Sequence, residues 1–151
     1  MNIGDTVENF TLKNTGGEDI SLFDTLESGD TLILFFPLAF SSVCTEELCK
    51  VRDNLKMYNA MSVNVLGISV DSFFTLNAFK KANNLSFTLL SDFNKNVSKQ
   101  FDALYDDFYG MKGVSKRAAF VVNRNKKVEY AEVLEDAGKI PDFSAIQAVL
   151  S

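Results

Sequence analysis

A chain of 151 residues, 46% of them hydrophobic, is long enough for one domain with a substantial core. A net charge of −5 without a basic patch argues against nucleic acid or an anionic membrane surface as partner. The absence of histidine excludes Ser-His-Asp triads, Cys-His pairs and His-ligated metal sites, and two cysteines alone fall short of the usual four ligands of a structural zinc site.

Met1-Asn2-Ile3-Gly4-Asp5 lacks the basic and apolar regions of a signal peptide. The longest apolar run, Leu32 to Phe36 with its extension to Phe40, is far short of the ~20 residues that cross a bilayer. The expectation is a cytoplasmic chain with no membrane association, in which two cysteines serve as reactive thiols rather than as a structural staple.

In chain order, Asn9 to Lys13 alternates like a short strand, Asn14-Thr15-Gly16-Gly17 is a turn, and Ile20 to Leu26 predicts a helical turn that Gly29-Asp30 breaks. Thr31 to Phe36 is a solid apolar run suited to a buried central strand. After Pro37-Leu38-Ala39-Phe40-Ser41-Ser42-Val43-Cys44, the helical spacing of Val43, Leu48, Val51, Leu55 and Tyr58 predicts a helix. Val63 to Val70 reads as a second buried strand. Ser72 to Ala82 reads as a helix with Phe74, Ala78 and Phe79 on its apolar face. Phe87 to Leu90 is a strand, Asn94 to Phe101 a helix, and Arg117 to Asn123 and Lys127 to Leu134 a hairpin. Asp142 to Leu150 closes the chain as a helix with Ala145, Ile146 and Val149 facing in. This order predicts a single α/β domain over residues 1–151, a mixed sheet flanked by helices, and it is the order of the thioredoxin-like architecture among other α/β options.

Cys44 stands where the central strand gives way to a helix, with Ser41 or Ser42 as N-cap. Unpaired backbone N–H groups and the dipole favour negative charge in that first turn, and the thiolate is the nucleophilic form of cysteine. A cysteine packed at a strand–helix junction fits the same place, and position alone leaves the two readings level. Pro37 can stiffen the loop and shield the sulfur, while the Ser41 hydroxyl can point back into the same pocket. Glu47, three residues after Cys44, shares about the same helix face. A carboxylate there disfavours a thiolate unless it holds an arginine that touches the sulfur; it also reads as an ordinary first-turn acid.

Pro37-x-x-x-Ser41-x-x-Cys44 resembles the Pro-x-x-x-Thr/Ser-x-x-Cys motif of the peroxiredoxins. The likeness extends through Phe35-Phe36-Pro37, Glu47-Leu48-x-x-Val51-Arg52-Asp53, Leu66-Gly67-Ile68-Ser69-Val70-Asp71, Phe87-Thr88-Leu89-Leu90-Ser91-Asp92 and Lys116-Arg117-Ala118-Ala119-Phe120-Val121-Val122, in order along essentially the whole chain. The subfamilies most alike are the bacterioferritin-comigratory and alkyl hydroperoxide reductase E types.

The resemblance implies a thioredoxin-like fold and a thiol peroxidase that needs no metal and no cofactor. Cys44 would attack hydrogen peroxide or an alkyl hydroperoxide and become a sulfenic acid. Arg117 would stabilise the thiolate and orient the peroxide, Ser41 would hydrogen-bond it, Pro37 would shield the pocket and Glu47 would hold Arg117. Without the resemblance, Arg117 is an ordinary strand-edge arginine. Cys49 matches the resolving cysteine of the first subfamily, which forms an intramolecular disulfide that thioredoxin or a similar dithiol reduces. On an intact helix, residues five apart lie about 8.6 Å apart at Cα, beyond the ~7 Å reach of a disulfide, so the segment from Cys44 to Cys49 would have to unwind. The expectation for the reduced protein is two free thiols, with Cys49 the more buried.

Three other readings stand beside this one: a one-cysteine peroxidase resolved by an external low-molecular-weight thiol, a thiol–disulfide oxidoreductase, and a non-enzymatic binding domain. The oxidoreductase is disfavoured because its helix start calls for Cys-x-x-Cys, and the binding domain by the complete set of Pro37, Ser41, Cys44 and Arg117. A monomer or a homodimer is expected, with Phe40, Phe73, Phe74 and Phe108 equally readable as an exposed apolar patch or as core.

Overall fold

The computed structural model describes residues 1–151. Two short strands, β1 (Thr11–Asn14) and β2 (Asp19–Ser21), flank the Gly16-Gly17 turn. Ser21 then caps helix α1 (Leu22–Ser28), its hydroxyl accepting from the Asp24 N–H. The stretch expected as a helical turn from Ile20 therefore divides: Ile20 pairs with Leu12 across β1–β2, and the helix starts at Leu22.

Strand β3 (Thr31–Phe35) is buried at all five positions, as a strand covered on both faces must be. Helix α2 (Ser42–Asp53) follows, and a break at Asn54 separates it from α3 (Leu55–Ala60). Next come β4 (Asn64–Ser69), α4 (Phe73–Ala82), β5 (Thr88–Ser91) and α5 (Asn96–Gln100). The hairpin strands β6 (Ala118–Val122) and β7 (Val128–Val133) and the final helix α6 (Phe143–Leu150) complete the chain.

All seven strands form one mixed sheet in the order β2-β1-β5-β4-β3-β6-β7. Neighbours β3–β4 and β4–β5 are parallel, joined by the helical crossovers α2–α3 and α4; the other pairs are antiparallel. Side chains of a strand alternate between faces. Leu32, Leu34, Phe36, Ala119 and Val121 thus meet α2, α4 and α6 on one face. Ile33, Phe35, Ala118, Phe120 and Val122 meet α1 and α5 on the other. Arg117, one residue before β6, has the parity of Ala119 and Val121, so the sheet aims it at α2.

Two helix faces differ from the pattern read in the sequence. Helix α4 buries Leu76 and Phe79, while Phe74 is 73% exposed and stacks on Phe73, and Ala78 is also exposed. Helix α6 buries Phe143 and Ile146, leaving Val149 exposed. In both cases the helix is rotated so that another bulky residue, Leu76 in α4 and Phe143 in α6, faces the sheet beside the expected Phe79 or Ile146. Of the four phenylalanines left open, Phe40 and Phe74 are exposed, and Phe73 and Phe108 are half-buried.

Phe101 is fully buried among the rings of Phe10, Phe35 and Phe120, with centroids at 6.1, 5.2 and 5.1 Å. Removing it opens a cavity that its neighbours cannot fill. Phe101→Ala is expected to lower stability by about 3–5 kcal/mol, read as a shift of the urea unfolding midpoint.

Candidate active site

The site begins where β3 runs out. Phe36 N–H still bonds to Ile68, but buried Pro37 has no N–H and ends the ladder. The loop is tied to the next crossover by Asp71, whose Oδ2 accepts from the Ala39 N–H at 2.8 Å and the Ser69 hydroxyl at 2.7 Å. Phe40 takes a left-handed backbone conformation (φ 68°), unusual for a bulky residue, and the chain then turns into α2.

Ser41 is the N-cap of α2 by backbone geometry, but its side chain does not cap. The hydroxyl donates instead to the Leu38 carbonyl at 2.9 Å. Cys44 is the third residue of the helix and is fully buried.

Arg117 joins the thiol to a carboxyl group. Its Nη2 donates to Cys44 Sγ at 3.2 Å, Nη1 to Glu47 Oε2 at 2.7 Å, and Nε to the Ala137 carbonyl at 3.0 Å. The planar guanidinium supplies these donors in one fixed fork, which a lysine cannot imitate. Arg117 is 1% exposed and Glu47 is buried with Oε1 unpartnered. Burial outweighs the attraction of Arg117 and pushes the Glu47 carboxyl up to about 7. For Arg117, burial acts downward, but Glu47 and Cys44 prevail, and the guanidinium is held above its ordinary value.

The sequence-derived residues thus separate. Cys44, Glu47 and Arg117 meet in direct contact. Ser41 and Arg117 line a cavity of about 120 Å³ together with Ser42, Val43, Phe108, Tyr109, Ala137 and Gly138. Pro37 is buried beside the strand exit and does not line that cavity. Cys49 stands apart, its Sγ 3.7 Å from Asn83 Oδ1 at the end of α4. Both thiols are free, but Cys44 is buried and Cys49 only half-buried, the reverse of the order expected. Five residues of helix turn Cys49 about 140° away from Cys44, off the sheet and towards the edge of α4.

Sequence reading passed over Tyr105, Tyr109 and Ala137, and read Phe108 only as exposed patch or core. They sit in segments without periodicity, and the folding of residues 104–115 into a small hairpin, bridged at Leu104–Ser115 and Phe108–Met111, accompanies the placement of Phe108 and Tyr109 at the cavity and of the Tyr105 hydroxyl at the Arg117 N–H. A larger cavity, about 390 Å³, lies by Phe73, Phe74 and Phe93 and contains no thiol.

Residues 3–131 match the model of the AhpC/TSA family. The chain belongs to this family, the peroxiredoxins. It is 38% identical over 123 residues to a putative peroxiredoxin bcp of Buchnera aphidicola subsp. Schizaphis graminum, covering 80% of this chain and 77% of that one. It is 30% identical over 142 residues to alkyl hydroperoxide reductase E of Mycobacterium bovis, covering 94% and 91%. The crystal structure of peroxidoxin BcpB from Mycobacterium tuberculosis matches with a TM-score of 0.86 at 28% identity, covering 99% of this chain and 94% of that one. The fold is therefore the thioredoxin-like fold of the peroxiredoxins.

Glu47 gives this peroxiredoxin a measurable pH signature. Its carboxyl titrates near 4.5 when unfolded and at about 7 when folded, so between these values the folded state binds the extra proton. The resulting stabilisation is complete below about pH 4.5 and is lost as pH rises through about 7. Glu47→Gln is expected to flatten the fall in urea midpoint between pH 5 and 8 that the parent protein shows; an equal fall in both would contradict the assignment.

Proposed function

We propose that Cys44 is the peroxidatic thiolate of a thiol-dependent peroxidase, with Arg117 as its activator. The observation that carries this reading is the 3.2 Å contact from Arg117 Nη2 to Cys44 Sγ, in a buried site. A guanidinium beside sulfur favours the thiolate, and its charge is little screened there by water.

The sulfur attacks the terminal oxygen of a hydroperoxide. The O–O bond breaks, the leaving oxygen departs with its electron pair and takes up a proton as water or an alcohol, and Cys44 becomes a sulfenic acid. Arg117 faces both the thiol and the cavity, so the same fork orients the incoming oxygens. Glu47 fixes the fork from behind at 2.7 Å. Ser41 lines the cavity with a hydroxyl now held by the Leu38 carbonyl, from which it can turn to the substrate. Buried Pro37 closes the strand side of the site to water.

Cys49 then resolves Cys44. Its thiol sulfur attacks the sulfenic sulfur, a disulfide forms and water leaves; a thioredoxin-like dithiol returns both thiols to the reduced state. A second reading, resolution by an external thiol, is favoured by one observation: α2 is continuous from Ser42 to Asp53, which keeps the two sulfurs apart.

Cys44→Ser is expected to abolish peroxidase activity, and Arg117→Ala to slow Cys44 oxidation by about 10²–10³-fold, the usual cost of losing an electrostatic stabiliser, as read by stopped-flow competition. Mass spectrometry after one equivalent of peroxide is expected to show a Cys44–Cys49 disulfide. A persistent Cys44 sulfenic acid with Cys49 intact would establish the external-thiol route.

A further inference from the structure

We propose that Arg52 and Asn83 are positioning residues for the resolving step: they pin the C-terminal half of α2 to the end of α4, so that Cys49 stays in place and Cys44 makes the whole journey. This rests on Cys49 as the resolving thiol.

The two halves of α2 are held by different means. The second half is tied to α4 through bonds that do not involve Cys44. Arg52 Nη1 donates to the Asn83 carbonyl at 2.7 Å, and the Cys49 thiol donates to Asn83 Oδ1 at 3.7 Å. Asn83 is itself fixed as the C-cap of α4, its Nδ2 donating to the Phe79 carbonyl at 3.1 Å. Asn54 closes the end of α2 by donating to the Lys50 carbonyl at 2.8 Å.

The first half has polar ties that converge on one guanidinium. Its N-cap side chain is turned to Leu38, and its first turn holds no acidic residue. The chain enters it through Phe40 in a left-handed conformation, where a non-glycine residue is strained. Its polar anchors to the sheet are the contacts of Cys44 and Glu47 with Arg117. Oxidation acts on that anchor. A sulfenic acid has lost the thiolate charge, which weakens the charge-assisted bond. It also adds an oxygen where Cys44 has no exposed surface, in an interior packed to solid density. The tie that peroxide breaks is on the Cys44 side, and the ties at Cys49 survive it.

An anchored Cys49 is a fixed target for a mobile sulfenic acid, which raises its effective concentration; a freed Cys49 would have to be found by diffusion of two mobile segments. In the step itself Cys49 loses its proton, the S–S bond forms, the S–O bond of Cys44 breaks, and the hydroxyl leaves as water.

The test separates oxidation from resolution by rapid mixing of the reduced protein with hydrogen peroxide, with mass spectrometry of quenched samples. In Arg52→Ala and in Asn83→Ala, sulfenic acid formation is expected within two-fold of the parent rate, while disulfide formation slows about ten-fold. Arg52→Lys, which can still donate to the Asn83 carbonyl, is expected to recover part of the loss. Hydrogen exchange on peroxide-treated Cys49→Ser, which needs no change at Arg52 or Asn83, is expected to rise over residues 42–48 and to stay low over residues 50–54. Disulfide formation at the parent rate in both Ala variants, or exchange rising over residues 50–54, overturns the proposal. Absence of any Cys44–Cys49 disulfide in the parent protein itself overturns the resolving role of Cys49 instead, and the two failures are read from different samples.

Discussion

The structure turns on a guanidinium buried between a thiol and a carboxyl group. Arg117 is the largest side chain in the interior, and removing such a charge from water costs several kcal/mol. No single partner offsets that. The Arg117 fork uses three nitrogens on three acceptors contributed by different parts of the chain: Cys44 and Glu47 on α2, and Ala137 after β7. Truncating Cys44 or Glu47 leaves a buried Arg117 donor unsatisfied, while the Ala137 carbonyl belongs to the backbone and stays. Glu47 has one oxygen on Arg117 and one on nothing, which is why burial prevails in its titration.

That arrangement is a consequence of strand parity. β3 and β6 are antiparallel neighbours inside the sheet, with Phe35 opposite Ala118. The chain leaves β3 at the same end of the sheet where it enters β6. Pro37 stops the first ladder there, and Arg117 stands just before the second. A one-residue slip of β6 would send Arg117 to the face covered by α1 and α5, away from Cys44 and Glu47. The buried runs Leu32–Phe36 and Ala118–Val122 therefore do two things at once: they make the core and they set the register of Arg117.

The same logic explains what could be read from the amino-acid sequence and what could not. Strands β3, β4 and β6 were legible because strands covered on both faces are continuous apolar runs. Helix α4 was legible as a helix but not in its rotation, since Phe74 and Leu76 compete for one face and only the shape of the sheet below decides. Cys44 at a helix start follows from Pro37, Ser41 and the helical spacing beyond. Its pairing with Arg117, 73 residues away, has no local signal and came only through resemblance. The relative burial of the two cysteines was read the wrong way round because a spacing of five says how far apart two side chains point, not which of them points at the sheet. The aromatics at the cavity mouth lie in residues 104–115, which have no helical or strand period to betray them.

Burial and turnover make opposite demands on α2. Shielding the thiolate from water strengthens its interaction with Arg117, and the fully buried Cys44 satisfies that demand. The proposed resolution by Cys49 needs the same residue out of its helix. A well-capped first turn would oppose this: an N-cap serine bonded to the helix is worth about 1 kcal/mol, and a first-turn acid adds some tenths more. Ser41 withholds that cap by turning to Leu38, and the first turn holds no acid. The helix start thus lacks both local supports, and it is held to the sheet by Arg117 through Cys44 and Glu47 and by the burial of Leu48. In the proposed chemistry, oxidation of the sulfur weakens the Cys44 part of that support, while the bond from Arg117 to Glu47 remains. The proposed chemical and conformational steps are thereby coupled at the Cys44–Arg117 contact, and the missing side-chain cap serves that proposal by making the helix start easier to unwind.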